Sequence, residues 1–419
     1  MGFAAGVEYR REASKAVPDA YGEGGDLYYL GKKVTTAGSY SSWEAFAEVN
    51  LPLLRDVPFA KSLEVAASYR FQDYTTTGAD GSYGFSASWM PVSDIKLRSA
   101  YARAVRAPNV KELYSGVEQS VAVIADPCDV RYTATGPAPA NRQSNCRTLL
   151  GPAADNFLQT PNSKWVIVQG NPDLDAEVAD TVTAGVVLAP AWVPNLVLTA
   201  DYFSTKIDGV ITNISPTQIA ENCVDSPSLD NQFCPNVTRD ISGNISVVVS
   251  QVFNLARYKT NGWDFSASYL FDLPANRGRV TLNANATYLR ELVYDPVPSN
   301  PNLRSRLDRV GANPTWRGNL NARYQRGAFN VDWNARYLGS VIRSWNDRVG
   351  DYSVDEAHPT SGSYVLNDLR FGMNLGTYQL SAGIDNIFNR YPPMKPFTYV
   401  YPMYSFIGRN YYAGIKVNF

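Results

Sequence analysis

The segment Gly408–Phe419 reads GRNYYAGIKVNF, and its side chains divide by parity. Tyr411, Ala413, Ile415, Val417 and Phe419 fall on one face of an extended strand, and Tyr412, Gly414, Lys416 and Asn418 fall on the other. That period of two belongs to a strand and not to a helix. An apolar face backed by a small, polar one suits an antiparallel sheet wetted on one side. The same alternation recurs down the whole chain, in segments close to membrane-crossing length, and the chain ends on an aromatic residue. Together these features select a transmembrane β-strand, with lipid against the apolar face and water against the other.

Val280, Leu282, Ala284, Ala286 and Tyr288 alternate with Thr281, Asn283, Asn285 and Thr287. Thr315–Gln325 and Phe329–Leu338 repeat the pattern as a hairpin around ArgGlyAla. Counting such segments from Phe3–Glu12 to Asn410–Phe419 predicts about 14 strands. Their connections sort by length. Short ones fall near 53–61, 91–94, 190–195, 272–279, 326–328 and 376–377, and long ones near 13–41, 106–177, 208–255, 290–314, 339–363 and 388–409. A short connection at 75–82, where a long one is due, is the exception. A soluble sandwich has no reason to sort its loops by rim, whereas a barrel in an outer membrane does. The expected fold is therefore all-β, an antiparallel up-and-down transmembrane β-barrel forming a single region over 1–419. Its long extracellular loops lie near 106–177 and 208–255. The first of these reads as irregular, rich in proline and poor in periodicity. In the second, Ser215 caps a short helix over 215–222, with Pro216 at its first position.

Composition closes other routes. The net charge of −1 gives no electrostatic basis for binding nucleic acid. No run approaches the roughly 20 apolar residues of a membrane helix. Hydrophobic residues make up 45% of the chain, yet mean hydropathy is −0.25, as expected where apolar side chains alternate with polar ones. Cys128 with Cys146 and Cys223 with Cys234 form two local pairs within polar stretches, which read as two disulfides and an oxidising compartment. The single histidine, His358, sits in a loop, and no histidine–cysteine cluster has metal-ligand spacing. No nucleophile–base–acid set appears, so neither an enzyme nor a cofactor is expected. The acids Asp201, Asp208, Asp351 and Asp355 match no calcium loop. Asn236-Val237-Thr238 fits a glycosylation sequon that a bacterial surface does not use. On the inward faces, Glu64, Arg70, Arg317, Arg323, Asp332 and Arg336 require water or a polar plug. They either pair among themselves or line a path and hold an inserted domain. The loop aromatics Trp165, Trp345, Tyr399 and Tyr401 either contact ligand or pack within their loops.

Five stretches carry a resemblance. Residues 99–114 (SAYARAVRAPNVKELY) contain an Arg-Ala-Pro-Asn segment after a strand, and 170–185 (GNPDLDAEVADTVTAG) a Gly-Asn-Pro-x-Leu-x-x-Glu segment before one. With 201–210, 383–392 and the C-terminal segment, in that order, they resemble the C-terminal barrel region of TonB-dependent outer-membrane receptors. Two small departures leave the likeness intact: Ala104-Val105 where Gly-Phe is usual, and Asp175-Ala176 where Lys-Pro is usual. The resemblance implies a bacterial outer-membrane location. It implies binding of a scarce nutrient (an iron chelate, cobalamin or a saccharide) and import energised by TonB through a plug domain and its box. It also implies that the C-terminal strand, ending at Phe419, addresses the chain to the barrel-assembly machinery. Family barrels have about 22 strands. Nothing in 1–419 resembles the plug or box, and Met1 enters a strand with no leader, so a receptor fragment lacking its N-terminal part is expected. Two rival readings stand beside it. One is a self-standing passive pore of about 14 strands, in which the first strand pairs with the last. The other is a surface-binding protein that works through its long loops.

Overall fold

The computed structural model describes the chain apart from residues 27–31, 135, 161–162, 297–304, 311, 343–359, 394–403 and 419. Its main sheet runs β1 (Gly2–Ala16), β2 (Thr36–Val57), β3 (Ala60–Tyr74), β4 (Gly78–Val92), β5 (Ile95–Arg106), β6 (Glu177–Leu188) and β7 (Leu196–Asn213). It continues through β8 (Val252–Asp272), β9 (Arg279–Asp295), β10 (Trp316–Arg326), β11 (Phe329–Leu338), β12 (Tyr364–Leu375), β13 (Tyr378–Asp385) and β14 (Asn410–Val417). Each strand pairs with its neighbours in this order, and a two-residue strand, Ser305–Arg306, attaches beside β9. The expected 14-strand path is present. The sheet is open: β1 pairs with β2 and β14 with β13, and the β1–β14 pairing that a self-standing pore requires is absent among the described residues.

Several strands outrun a bilayer. β2 has 22 residues and β8 has 21. At about 3.3 Å per residue they reach about 70 Å, where a crossing needs only about 9–11 residues. The surplus stands on the long-loop rim. The sequence assigned part of it, the segment before Ser41, to a Gly-rich connection, and in the structure Thr36–Tyr40 already belongs to β2.

Residues opposite each other in an antiparallel pair share a face, so the register extends the sequence parity across the whole sheet. On the apolar face, Trp263 stands opposite Tyr202 on one side and Tyr288 on the other, and Tyr288 stands opposite Trp316. Their rings meet at 5.4 Å (Tyr202–Trp263) and 4.9 Å (Tyr288–Trp316), forming an aromatic belt. Trp43, Tyr69, Phe85, Phe265, Trp333, Phe371 and Ile415 on this face are exposed to the surroundings, as lipid-facing side chains must be.

The opposite face carries a polar row through Glu64, Ser88, Arg98, Gly185, Asp201, Asp264, Thr287 and Arg317. Arg98 and Asp201 lie on β5 and β7, with β6 between them. Arg98 nevertheless donates from Nε (2.8 Å) and Nη2 (2.6 Å) to the two carboxylate oxygens of Asp201. The intervening residue is Gly185, and a Cβ there would stand 1.9 Å from Asp201 Oδ1. Glycine is required so that an ion pair can pass over the strand.

The hydrophobic core of the molecule lies outside the sheet. Residues 106–177 and 208–255, expected as irregular loops, fold together instead. Four short strands order as Val237–Arg239, Ile245–Ser250, Ser163–Val168 and Glu118–Val123, with a parallel central pair joining the two loops. A helix, Pro139–Leu150, and a second, Pro216–Asp225, pack with them. Ser215 caps the second helix as expected, and Gln218 completes a capping box. Ile124, Val166, Ile219, Val224, Phe233, Ile245, Val248 and Phe253 form the buried centre of this cap. Each fully buried side chain of this kind contributes about 1.5–3 kcal/mol.

Substituting Gly185→Ala forces Asp201 away from Arg98. We expect a stability loss of about 1 kcal/mol, limited by the exposure of this pair, measured by urea-induced unfolding in lipid vesicles. An Arg98→Ala background should abolish most of the difference, because the displaced ion pair is then already gone.

Candidate functional site

The roots of the cap are tied by two of the five segments that carry the sequence resemblance. Arg106, at the end of β5, donates from Nε and Nη2 to both carboxylate oxygens of Glu177, each at 2.7 Å. It also reaches Glu112 at 3.1 and 3.2 Å. Glu112 in turn accepts from the Asn109 backbone N–H at 2.8 Å, while the Asn109 side chain accepts from the Glu112 N–H at 2.9 Å, capping the short helix Val110–Tyr114. Glu177 also accepts from the Ile211 N–H on β7 at 2.7 Å. Asn171 donates its backbone N–H to the Glu112 carbonyl (2.8 Å) and its side-chain amide to the Val252 carbonyl (3.0 Å). Gly170 crosses Leu113 so closely that a Cβ would lie 2.6 Å from the Leu113 carbonyl oxygen. The Arg-Ala-Pro-Asn and Gly-Asn-Pro segments thus form one collar, which fixes where the long loops leave β5 to β8.

Above the collar, two disulfides join cysteines within each loop, as the sequence predicts: Cys128–Cys146 and Cys223–Cys234, with Cα–Cα distances of 5.3 and 4.6 Å. Ion pairs then join the loops to each other. Arg142 and Asp225, both buried, make two hydrogen bonds at 2.6 and 2.5 Å. Arg239 donates to both oxygens of buried Asp126 at 2.6 and 2.8 Å. A buried ion is tolerable only when it is paired, so these clamps hold the two loops in one register. Asp129, also buried, accepts from Arg131 Nε at 2.7 Å and from the backbone N–H groups of Arg131 and Gln159, each at 3.0 Å. The Arg131 guanidinium and those N–H groups hold its carboxyl at about 2, against the opposing push of burial.

Below the collar, the inward-facing candidates are distributed unevenly. Arg70 contacts Glu44 and, at 3.4 Å, Glu8. Arg323 pairs with Asp332 at 2.6 Å, and Arg336 with Asp368 at 3.0 Å. Glu64 and Arg317 make no side-chain hydrogen bond or ion pair among the described residues, although they share the polar row with Arg98 and Asp201. Asp208 pairs with Lys206 and Arg257, each at 2.6 Å, and Asn236 of the sequon is buried. Trp165 is exposed on the cap. His358, Asp351, Asp355, Trp345, Tyr399, Tyr401 and Phe419 lie outside the described residues. Among the described residues no group of acids, histidines or cysteines is arranged to hold a metal.

A family model described as TonB dependent receptor-like, beta-barrel, matches residues 1–387. The chain belongs to this family. Members of the TonB-dependent receptor family are outer-membrane proteins, and the family and its solved relatives are transport receptors. The siderophore receptor PirA from Acinetobacter baumannii superimposes with a TM-score of 0.63 at 16% identity, covering 100% of this chain and 52% of that one. A variant of the ferric enterobactin receptor PfeA from Pseudomonas aeruginosa gives 0.63 at 17% identity, covering 100% and 51%. The FrpB iron transporter from Neisseria meningitidis gives 0.54 at 13% identity, covering 99% and 52%. At these identities the likeness shows the fold. The chain spans about half the length of these solved TonB-dependent receptors. No curated protein matches by sequence.

Two outcomes follow for the collar and the cap. Arg106→Ala removes both carboxylates' shared partner from a half-exposed position, at a cost of about 1–2 kcal/mol. Limited proteolysis within 107–176 should then accelerate about 5- to 30-fold, while the strands stay protected. Acid should act on the cap through Asp129, whose folded pKa lies below its ordinary value of 3.8. Its contribution is fully present above that value and is lost as pH falls toward about 2. Hydrogen exchange in 126–160 should therefore rise over that interval, and an Asp129→Asn variant should show a smaller rise.

Proposed function

We propose that this chain is the barrel part of an outer-membrane receptor that imports a scarce nutrient of the siderophore-iron, cobalamin or saccharide class with energy supplied by TonB. The observation that carries this reading is the collar. The family-like segments anchor a rigid, disulfide-stapled cap on the long-loop rim of a sheet whose other face is polar. A cap of this construction suits ligand capture outside the cell, and the polar face suits passage. The exposed aromatic face is the surface for membrane lipid, and β14 is the strand that the assembly machinery would engage. TonB would act through a plug and box, to which 1–419 offers its polar face. The passive-pore reading gains no support from the open sheet.

The reading is tested in intact cells carrying the natural gene. Protease added outside should cut within 126–160 after reduction of the disulfides and should spare the turns at 58–59 and 327–328. Nutrient uptake should collapse when a protonophore removes the energy source. Cleavage at the short turns with the cap protected would reverse the orientation, and uptake unaffected by the protonophore would overturn the energised receptor.

A further inference from the structure

On the polar face of β9, β10 and β11, Asn285, Arg317, Asn319 and Asn334 are among the side chains that make no hydrogen bond or ion pair with the described residues. They are neighbours by register. Asn285 stands opposite Asn319, Arg317 is two residues along the same strand from Asn319, and Asn334 precedes by two the Arg336 that faces Asn319. All four line one cavity of 770 Å³, together with Asp264, Thr287, Arg336, Tyr364, Tyr404 and Ser405. That volume lies within the range of small-molecule sites, about 300–1,000 Å³. The other charged groups that line the cavity are engaged, although Arg370, on the same face opposite Asp332, makes no hydrogen bond or ion pair among the described residues. Asp264 accepts from Thr287 at 2.6 Å, Arg336 holds Asp368 at 3.0 Å, and Arg323 holds Asp332 at 2.6 Å. Tyr404 closes the wall, its ring edge-on to buried Tyr364 at 5.6 Å.

We infer that this wall binds a polyhydroxylated carboxylate of the uronate saccharide class. Each asparagine amide offers a carbonyl acceptor beside two N–H donors. Neighbouring hydroxyls on a small polyol need that combination. Asp264, with one oxygen uncommitted, is a strong acceptor for a further hydroxyl. Arg317 is the unmatched cation among the residues lining the cavity, and its planar fork fits a carboxylate through two parallel hydrogen bonds. A neutral ligand would leave that guanidinium unanswered. A dianionic ligand with no hydroxyls would leave the amides unsatisfied and would meet the Asp264 carboxylate. The inference deepens the receptor reading by naming a ligand class, and it rests on that reading only for the ligand's entry from outside.

The test is calorimetric titration of the full chain in detergent with digalacturonate, with a neutral disaccharide, and with ferric citrate as an acid that has no free hydroxyl. We expect digalacturonate to bind at least 10-fold more tightly than either of the others, with affinity falling as salt rises. Tighter binding of ferric citrate would overturn the inference. Arg317→Gln should weaken digalacturonate about 10- to 100-fold and bring it near the neutral sugar. A double Asn285→Ala, Asn319→Ala variant should weaken acid and neutral ligands alike. Heat-modifiable migration on gels reports folding of each variant. Should Arg317→Gln misfold, the charge preference and salt dependence of the unaltered chain decide alone. No binding of digalacturonate at millimolar concentration overturns the inference, as does binding that Arg317→Gln leaves unchanged. Binding in detergent needs no energy source, so failure of energised uptake in cells would leave this result standing, and the reverse also holds.

Discussion

In a hydrocarbon layer a backbone N–H or C=O finds no water, so each must be satisfied by a neighbouring strand. This single requirement arranges the rest of the molecule. It commits 14 strands to pairing in chain order, because adjacent hairpins close their hydrogen bonds with the shortest loops. It places apolar side chains on the outward face, where they stand exposed, and so removes them from any core. The polar side chains are left on the other face, where Arg98 with Asp201, Arg323 with Asp332 and Arg336 with Asp368 satisfy one another. A sheet so built has little hydrophobic core of its own. The buried cluster lies instead in the cap, above the lipid, where water again makes burial favourable.

The cap is a non-local structure, and that makes it costly. Its central strands, Ser163–Val168 and Ile245–Ser250, lie in different loops and pair in parallel. Holding long loops in one arrangement opposes their conformational entropy. The restraints are graded to offset this. Disulfides close each loop on itself, buried ion pairs join one loop to the other, and the collar joins both to the strand ends. The two disulfides span 18 and 11 residues, and so act within a loop and not between loops. The coupling between loops falls to the parallel strand pair, the shared buried cluster and the Arg142–Asp225 and Arg239–Asp126 ion pairs. Those pairs are buried, and a buried pair deprived of one partner leaves an uncompensated charge. The cap therefore behaves as one unit anchored on β5 to β8.

These restraints also explain which features are legible in sequence. Alternation with period two is local, so the strand path, its two faces and the sorting of loops by rim were readable from residues such as Val280 to Tyr288. Local chemistry was readable too: Ser215 with Pro216 as a helix start, and cysteines close enough to pair within their loops. The longer reach of β2 was hidden because Thr36-Ala37-Gly38 has the composition of a loop, and only pairing with β1 makes it a strand. The cap was hidden because its strands have three to six residues, too few to show a period, and its central pair joins residues about 80 apart. The Arg98–Asp201 pair was hidden because it depends on register and on Gly185 between them. A small residue flanked across two strands by opposite charges would have been the signal, once the register was known.

The polar face divides into two kinds of ground, and the division is physical. Where acids and arginines alternate between adjacent strands, as at Arg323–Asp332, the wall satisfies itself and presents little to a ligand. Where asparagines and hydroxyls replace the acids, as around Asn285, Asn319 and Asn334, Arg317 has no partner among the described residues of the sheet. A lone arginine there is exposed and solvated, and at no great cost, since water serves it well. It becomes valuable only when something displaces that water and answers its charge. The self-paired regions set the shape of the wall, and the unpaired region is where a molecule passing along it exchanges water for protein at the least loss.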